Sequence, residues 1–185
     1  MKNTDRLGNG LLPGICGRWK TGLALVGACG FLCQASAITL QLVPEQAEIR
    51  VGQAFDISLF AEWEPSLELV FFAAELDTVG GLLPSGLARF TDWTVSPPLS
   101  EGLTFGPSEI AGEGDPFDPY YGGASKRIAT LSFQALGAGL ESLSLSGLSS
   151  DFMGISLYDE STGRIWESDI DESLELRISP VPDGV

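Results

Sequence analysis

Residues 128–147 read IATLSFQALGAGLESLSLSG. Ala129, Leu131, Phe133 and Ala135 alternate with Thr130, Ser132 and Gln134, a period of two that puts the apolar side chains on one face of an extended strand. Gly137-Ala138-Gly139 interrupts the pattern as a turn. Alternation then resumes, with Leu143 and Leu145 set against Ser142, Ser144 and Ser146. A half-buried strand, a glycine turn and a second half-buried strand predict an all-β chain.

The same period recurs outward in both directions. Phe55, Ile57, Leu59, Ala61 and Trp63 alternate with Asp56, Ser58, Phe60 and Glu62, and Leu174, Leu176 and Ile178 alternate with Glu175, Arg177 and Ser179. Shorter strand candidates cover residues 38–43, 47–51, 153–158 and 163–167. Residues 69–74 are continuously apolar, as in a strand covered on both faces. Turn signals separate these runs at Pro44-Glu45-Gln46, Val51-Gly52-Gln53 and Ser161-Thr162-Gly163. The stretch 80–123 is rich in Gly, Pro and acids, with weak strand signals only at 87–93 and 103–105. Helical periodicity hardly appears and no internal repeat or linker interrupts the pattern, so the expectation is one antiparallel β-sandwich of the jelly-roll or immunoglobulin-like kind over residues 38–179.

Composition narrows the chemistry. The 185 residues carry 10 Lys+Arg against 25 Asp+Glu, a net charge of −15, and no His. Without His, triad hydrolases and His-ligated zinc sites are excluded. The acidic balance argues against nucleic acid as a partner, since affinity for phosphate backbones comes from Lys and Arg. Residues 1–37 read as a secretory signal peptide. Lys2, Arg6, Arg18 and Lys20 form a basic region, residues 21–33 an apolar run, and Ala35-Ser36-Ala37 a cleavage site. Cleavage before Ile38 removes Cys16, Cys29 and Cys33, all the cysteines, together with four basic residues and Asp5. The mature chain then has 6 basic and 24 acidic residues, a charge of −18, and no thiol for a disulfide or nucleophile. It is expected in the periplasmic or extracellular space with no stable membrane anchor.

Residues 47–63, AEIRVGQAFDISLFAEW, and above all 128–147 resemble the cohesin-like domains of bacterial exported proteins. That resemblance implies a cohesin-like sandwich, related to carbohydrate-binding modules, whose last strands form a hairpin around an Ala/Gly turn. It also implies a protein partner gripped by a sheet face, as cohesins grip dockerins, or a polysaccharide. Residues 180–185, PVPDGV, resemble the opening of a PEP-CTERM or VPDSG-type sorting tail without its apolar helix and basic cluster.

Candidate chemistry is sparse. A glycosidase needs only two carboxylates, and Glu68 with Glu75 or Asp115 with Asp118 supply pairs, but nothing in the pattern splits their environments. No catalytic residue is assigned. Calcium is the one cofactor the oxygen ligands could take. An EF-hand beginning at Asp169 fails, because Leu174 stands where Gly is required and Pro180 where Glu is required. A loop site drawing on Asp115, Asp118, Asp151 or Asp159 is the alternative to plain acidic surface. GEGDPFDPYYGG, residues 112–123, places Phe117, Tyr120 and Tyr121 beside two Asp, an arrangement suited to stacking on sugar rings. The bland alternative is that the rings fold back as a cap on the sandwich. The expectation is a non-enzymatic binding or structural module of the cell envelope or extracellular matrix, contacting protein or polysaccharide. A carboxylate-only polysaccharide hydrolase or a calcium-stabilised adhesion module is the rival reading.

Overall fold

A computed structural model describes residues 38–182. The leader, with its cleavage site and all three cysteines, lies outside the described residues, as does the end of the sorting-tail motif beyond Pro182. Among the described residues there are twelve strands: β1 (Thr39–Pro44), β2 (Ile49–Arg50), β3 (Ala54–Glu62), β4 (Leu67–Leu76), β5 (Ala88–Val95), β6 (Ser100–Glu101), β7 (Glu109–Glu113), β8 (Lys126–Ala135), β9 (Gly139–Gly147), β10 (Gly154–Asp159), β11 (Arg164–Ser168) and β12 (Ile170–Ser179). The single helical element among the described residues is a 3-10 turn at Ser149–Asp151. No helix among them is long and apolar enough to cross a membrane.

Two sheets form the expected sandwich. The smaller has the order β1-β3-β8-β5; the larger runs β11-β10-β4-β9-β12-β2, with β7 on the other edge of β4 and β6 beyond it. Every pairing is antiparallel except the short parallel one of β12 with β2. Inward residues of both sheets share one core: Phe55, Ile57, Leu59, Leu131 and Phe133 from the smaller, Leu69, Phe72, Leu143 and Leu145 from the larger. Trp63 caps that core, 3% exposed, with its indole N–H donating to the Leu67 carbonyl at 2.9 Å.

The turn 137–139 corrects one expectation. β8 and β9 do not pair with each other as a hairpin; β8 lies between β3 and β5, whereas β9 lies between β4 and β12. β8 faces the core from the smaller sheet and β9 from the larger, so the turn carries the chain across the sandwich as an arch and both apolar faces meet in one core. A second correction concerns residues 103–105, which form no strand. Residues 109–113 do, as β7, on an edge of β4. The continuously apolar segment also differs from expectation, because the smaller sheet covers only its inner face and no sheet covers the outer one. A bulge at Val70 resets the alternation of β4, so Leu67 and Leu69 before it and Phe72, Ala74 and Leu76 after it are buried.

Candidate functional site

The bulge leaves Phe71, Ala73 and Glu75 on the outer face of the larger sheet. Gly112 fixes the facing of its neighbour β7, since a Cβ there would run into the Phe72 ring on the core side, so Ala111 and Glu113 are turned outward. On this face lies a recess of about 400 Å³. Its floor is Phe71, Ala73 and Ala111, and its walls are the loop at Leu103 and Phe105 and the 3-10 turn with Phe152 and Met153.

Both walls hold aromatic rings in water. Phe105 is 87% exposed and Phe152 92%. Phe152 has φ +60°, a left-handed backbone that a bulky residue seldom adopts and that here ends the 3-10 turn, its N–H donating to the Ser149 carbonyl. Each wall is braced by an acid. Glu109 accepts the Phe105 N–H. Asp169 accepts both the N–H and the hydroxyl of Ser149 at 2.8 Å, and these bonds hold its carboxyl below the usual range. Glu109, Glu113 and Asp151 also line the recess, and no Lys or Arg does. Elsewhere on this face Ser146 and Ser144 of β9 lie opposite Asp171 and Ser173 of β12.

The residues singled out from the sequence are dispersed. The Asp115 carboxylate accepts the Phe117 N–H at 2.8 Å, and the Asp118 N–H donates to the Asp115 carbonyl at 3.0 Å, so these two acids shape the tip of one loop. Phe117 stands 95% exposed on that tip. Tyr120 folds inward, edge-on to Trp63 at 5.7 Å, with Lys126 over its ring at 4.5 Å and its hydroxyl donating to the Arg127 carbonyl; burial pushes its pKa up. Tyr121 lies between, paired with Glu68 and donating to Glu160 at 3.4 Å. Asp151 is at the recess. Asp159 accepts from the N–H and hydroxyl groups of Ser161 and Thr162 in the β10–β11 turn, which lowers its pKa. The four aspartates thus occupy three places, and no three His, Cys, Asp or Glu converge on a metal position among the described residues. The expected result of a thermal melt is therefore a melting temperature indifferent to millimolar calcium and to chelator. A rise that Asp115→Asn and Asp118→Asn together abolish would establish the loop as a calcium site.

Sequence reading missed the recess because its walls come from stretches with no strand or motif pattern. The available signal was a lone phenylalanine in each of two connections, Phe105 within GLTFGPS and Phe152 within LSSDFM.

No family model and no curated protein sequence matches the chain. Solved structures do. A cohesin module from the family 33 glycoside hydrolase of Clostridium perfringens superposes with a TM-score of 0.54 at 12% identity, over 80% of this chain and 98% of that one. The fold is that of a cohesin module. A chain of a type I cohesin–dockerin complex from Clostridium thermocellum aligns at 12% identity over 79% and 97% of the two chains, with a TM-score of 0.49. The sixth cohesin of scaffoldin B from Acetivibrio cellulolyticus does so at 10% over 77% and 99%, with 0.47. At these identities the likeness is one of fold.

Proposed function

We propose that this cohesin-type sandwich is a non-enzymatic protein-binding module that grips its partner on the outer face of the larger sheet, at the recess between Phe105 and Phe152. The observation that carries the reading is the pair of aromatic rings, 87% and 92% exposed, held over an apolar floor. Isolated apolar side chains are ordinary on surfaces, but a contiguous apolar recess braced from both sides is a binding feature. Its acidic rim selects a segment whose apolar anchor is flanked by Lys or Arg, which would meet Glu109, Glu113 and Asp151. Export, which the leader pattern supports, would set that encounter in the envelope or matrix.

The test is capture from the source culture by the full chain, beside Phe105→Ser with Phe152→Ser and beside Phe117→Ala. The groove double variant should lose the captured protein at least tenfold without a lower melting temperature, since both rings already stand in water. Retained capture by the double variant would place the docking face elsewhere. A parallel glycan array reads the polysaccharide alternative, which the exposed ring of Phe117 supports; glycan binding lost only in Phe117→Ala would favour that alternative over the recess.

A further inference from the structure

Three polar or charged residues are buried among the described ones: Ser58, Glu141 and Glu68. Ser58 donates to Glu45 at 2.7 Å, and Glu141 accepts from four backbone N–H groups. Glu68, 9% exposed, has neither a hydrogen bond nor an ion pair for its carboxylate among the described residues, although no buried polar atom is sealed away without a partner. Its stem is therefore buried while its oxygens reach the surface unpartnered.

The strand register surrounds that carboxylate. Tyr158 of β10 lies opposite Glu68 on one side and Tyr121 on the other, and directly opposed residues project to the same face. Tyr121 hydrogen-bonds Glu160, so a second carboxylate adjoins the first. Burial raises the pKa of Glu68, and the charge of Glu160 raises it further. Among the described residues no ion pair to a basic side chain involves either carboxylate. Lys126 donates to the Tyr121 carbonyl and sits over the Trp63 and Tyr120 rings. Two adjoining carboxylates beside tyrosine rings concentrate negative charge, which a bound cation would neutralise.

We propose that Glu68, Glu160, Tyr121 and Tyr158 form a receptor for one organic cation, the side chain of a lysine or arginine presented by a partner protein. The carboxylates would take the charge and the rings its apolar or planar face. That the cation belongs to a protein rests on the function proposed above; the receptor itself does not, since it lies outside the recess.

The test is an NMR titration of the full chain with acetyl-argininamide, acetyl-lysinamide and cellohexaose, following the Tyr121 and Tyr158 rings and the Glu68 and Glu160 carboxyls. Saturable shifts with a cation are expected, weakened at least tenfold in Glu68→Gln and in Glu160→Gln, and unaffected by Phe105→Ser with Phe152→Ser. Cellohexaose should give none. Glu68→Gln should also melt at a higher temperature than the parent at neutral pH. A raised folded pKa means that ionised Glu68 opposes folding, with the full cost above that pKa and none below the unfolded one, so the advantage should vanish in acid. Shifts that persist in Glu68→Gln would show a diffuse acidic surface, shifts with cellohexaose alone a sugar site, and a lowered melting temperature a structural role for Glu68; each overturns the proposal. Loss of partner capture in the groove variant with cation shifts intact, or the reverse, separates the two sites.

Discussion

Glu141→Ala is expected to cost about 3–5 kcal/mol in denaturant unfolding, a loss beyond that of ordinary surface changes. Glu141 is 1% exposed at the start of β9, in the larger sheet, yet its carboxylate reaches the turn that leads into β5 of the smaller one. One oxygen accepts the N–H groups of Leu87 at 2.9 Å and Ala88 at 3.2 Å; the other accepts Ser85 at 3.0 Å and its neighbour Ser142 at 3.1 Å. Removing it leaves three N–H groups of that turn without an acceptor, each costing about 1–3 kcal/mol where water cannot replace it. Glutamine should restore little, because its amide nitrogen brings a donor to a site that wants only acceptors. Hydrogen exchange makes the test specific: the amides of Ser85, Leu87 and Ala88 should lose protection in Glu141→Ala while those at the centre of β8 keep theirs. A loss under about 1 kcal/mol would mean that the turn is held by its own bonds, Leu83 to Ala88 and Gly86 to Leu83.

That staple is legible in the strand pattern itself. Counting back by twos from Leu145 and Leu143 puts Glu141 on the inward face, so the same alternation that identifies the strand also marks a buried acid that must find donors. Alternation worked wherever one face is buried and the other wet, as in β3, β8, β9 and β12. It failed at β7, EIAGE, because five residues with a glycine packed against Phe72 carry no pattern to detect. The crossing of the chain between sheets after β8 was likewise hidden, since a glycine turn between two half-buried strands reads alike for a hairpin and for an arch. The candidate sites depend on these hidden features. The recess needs β7 and two connecting segments side by side, and the Glu68 receptor needs the register of β10 against β4, neither of which is a local property of the sequence. The aromatic loop shows the same limit from the other direction. Its composition marked Phe117, Tyr120 and Tyr121 alike, and only the packing of Trp63 and Lys126 separates the inward Tyr120 from the exposed Phe117.

Phe133→Ala should cost about 3–5 kcal/mol, whereas Gln134→Ala, one residue along the same strand, should cost about 0.5 or less. Phe133 is 1% exposed on β8, which has a neighbour on each edge. The register places Phe55 of β3 opposite it on one side and Phe90 of β5 on the other, so three aromatic rings form one row across the smaller sheet. The Phe55 ring stacks on it at 5.4 Å and 17°, and the Phe90 ring tilts against it at 5.6 Å and 55°. Truncation to alanine therefore removes the middle of the row, and close packing against the larger sheet lets the walls relax only in part. Gln134 points to the opposite face, where its partners are Ala54 and Arg89. The row also predicts coupling: Phe55→Ala and Phe133→Ala together should cost less than the sum of the two by about 0.5–3 kcal/mol, because the second change enlarges a cavity that already exists. Equal losses at positions 133 and 134 would reverse the facing of β8, and with it the parity by which every inward residue of the smaller sheet is assigned.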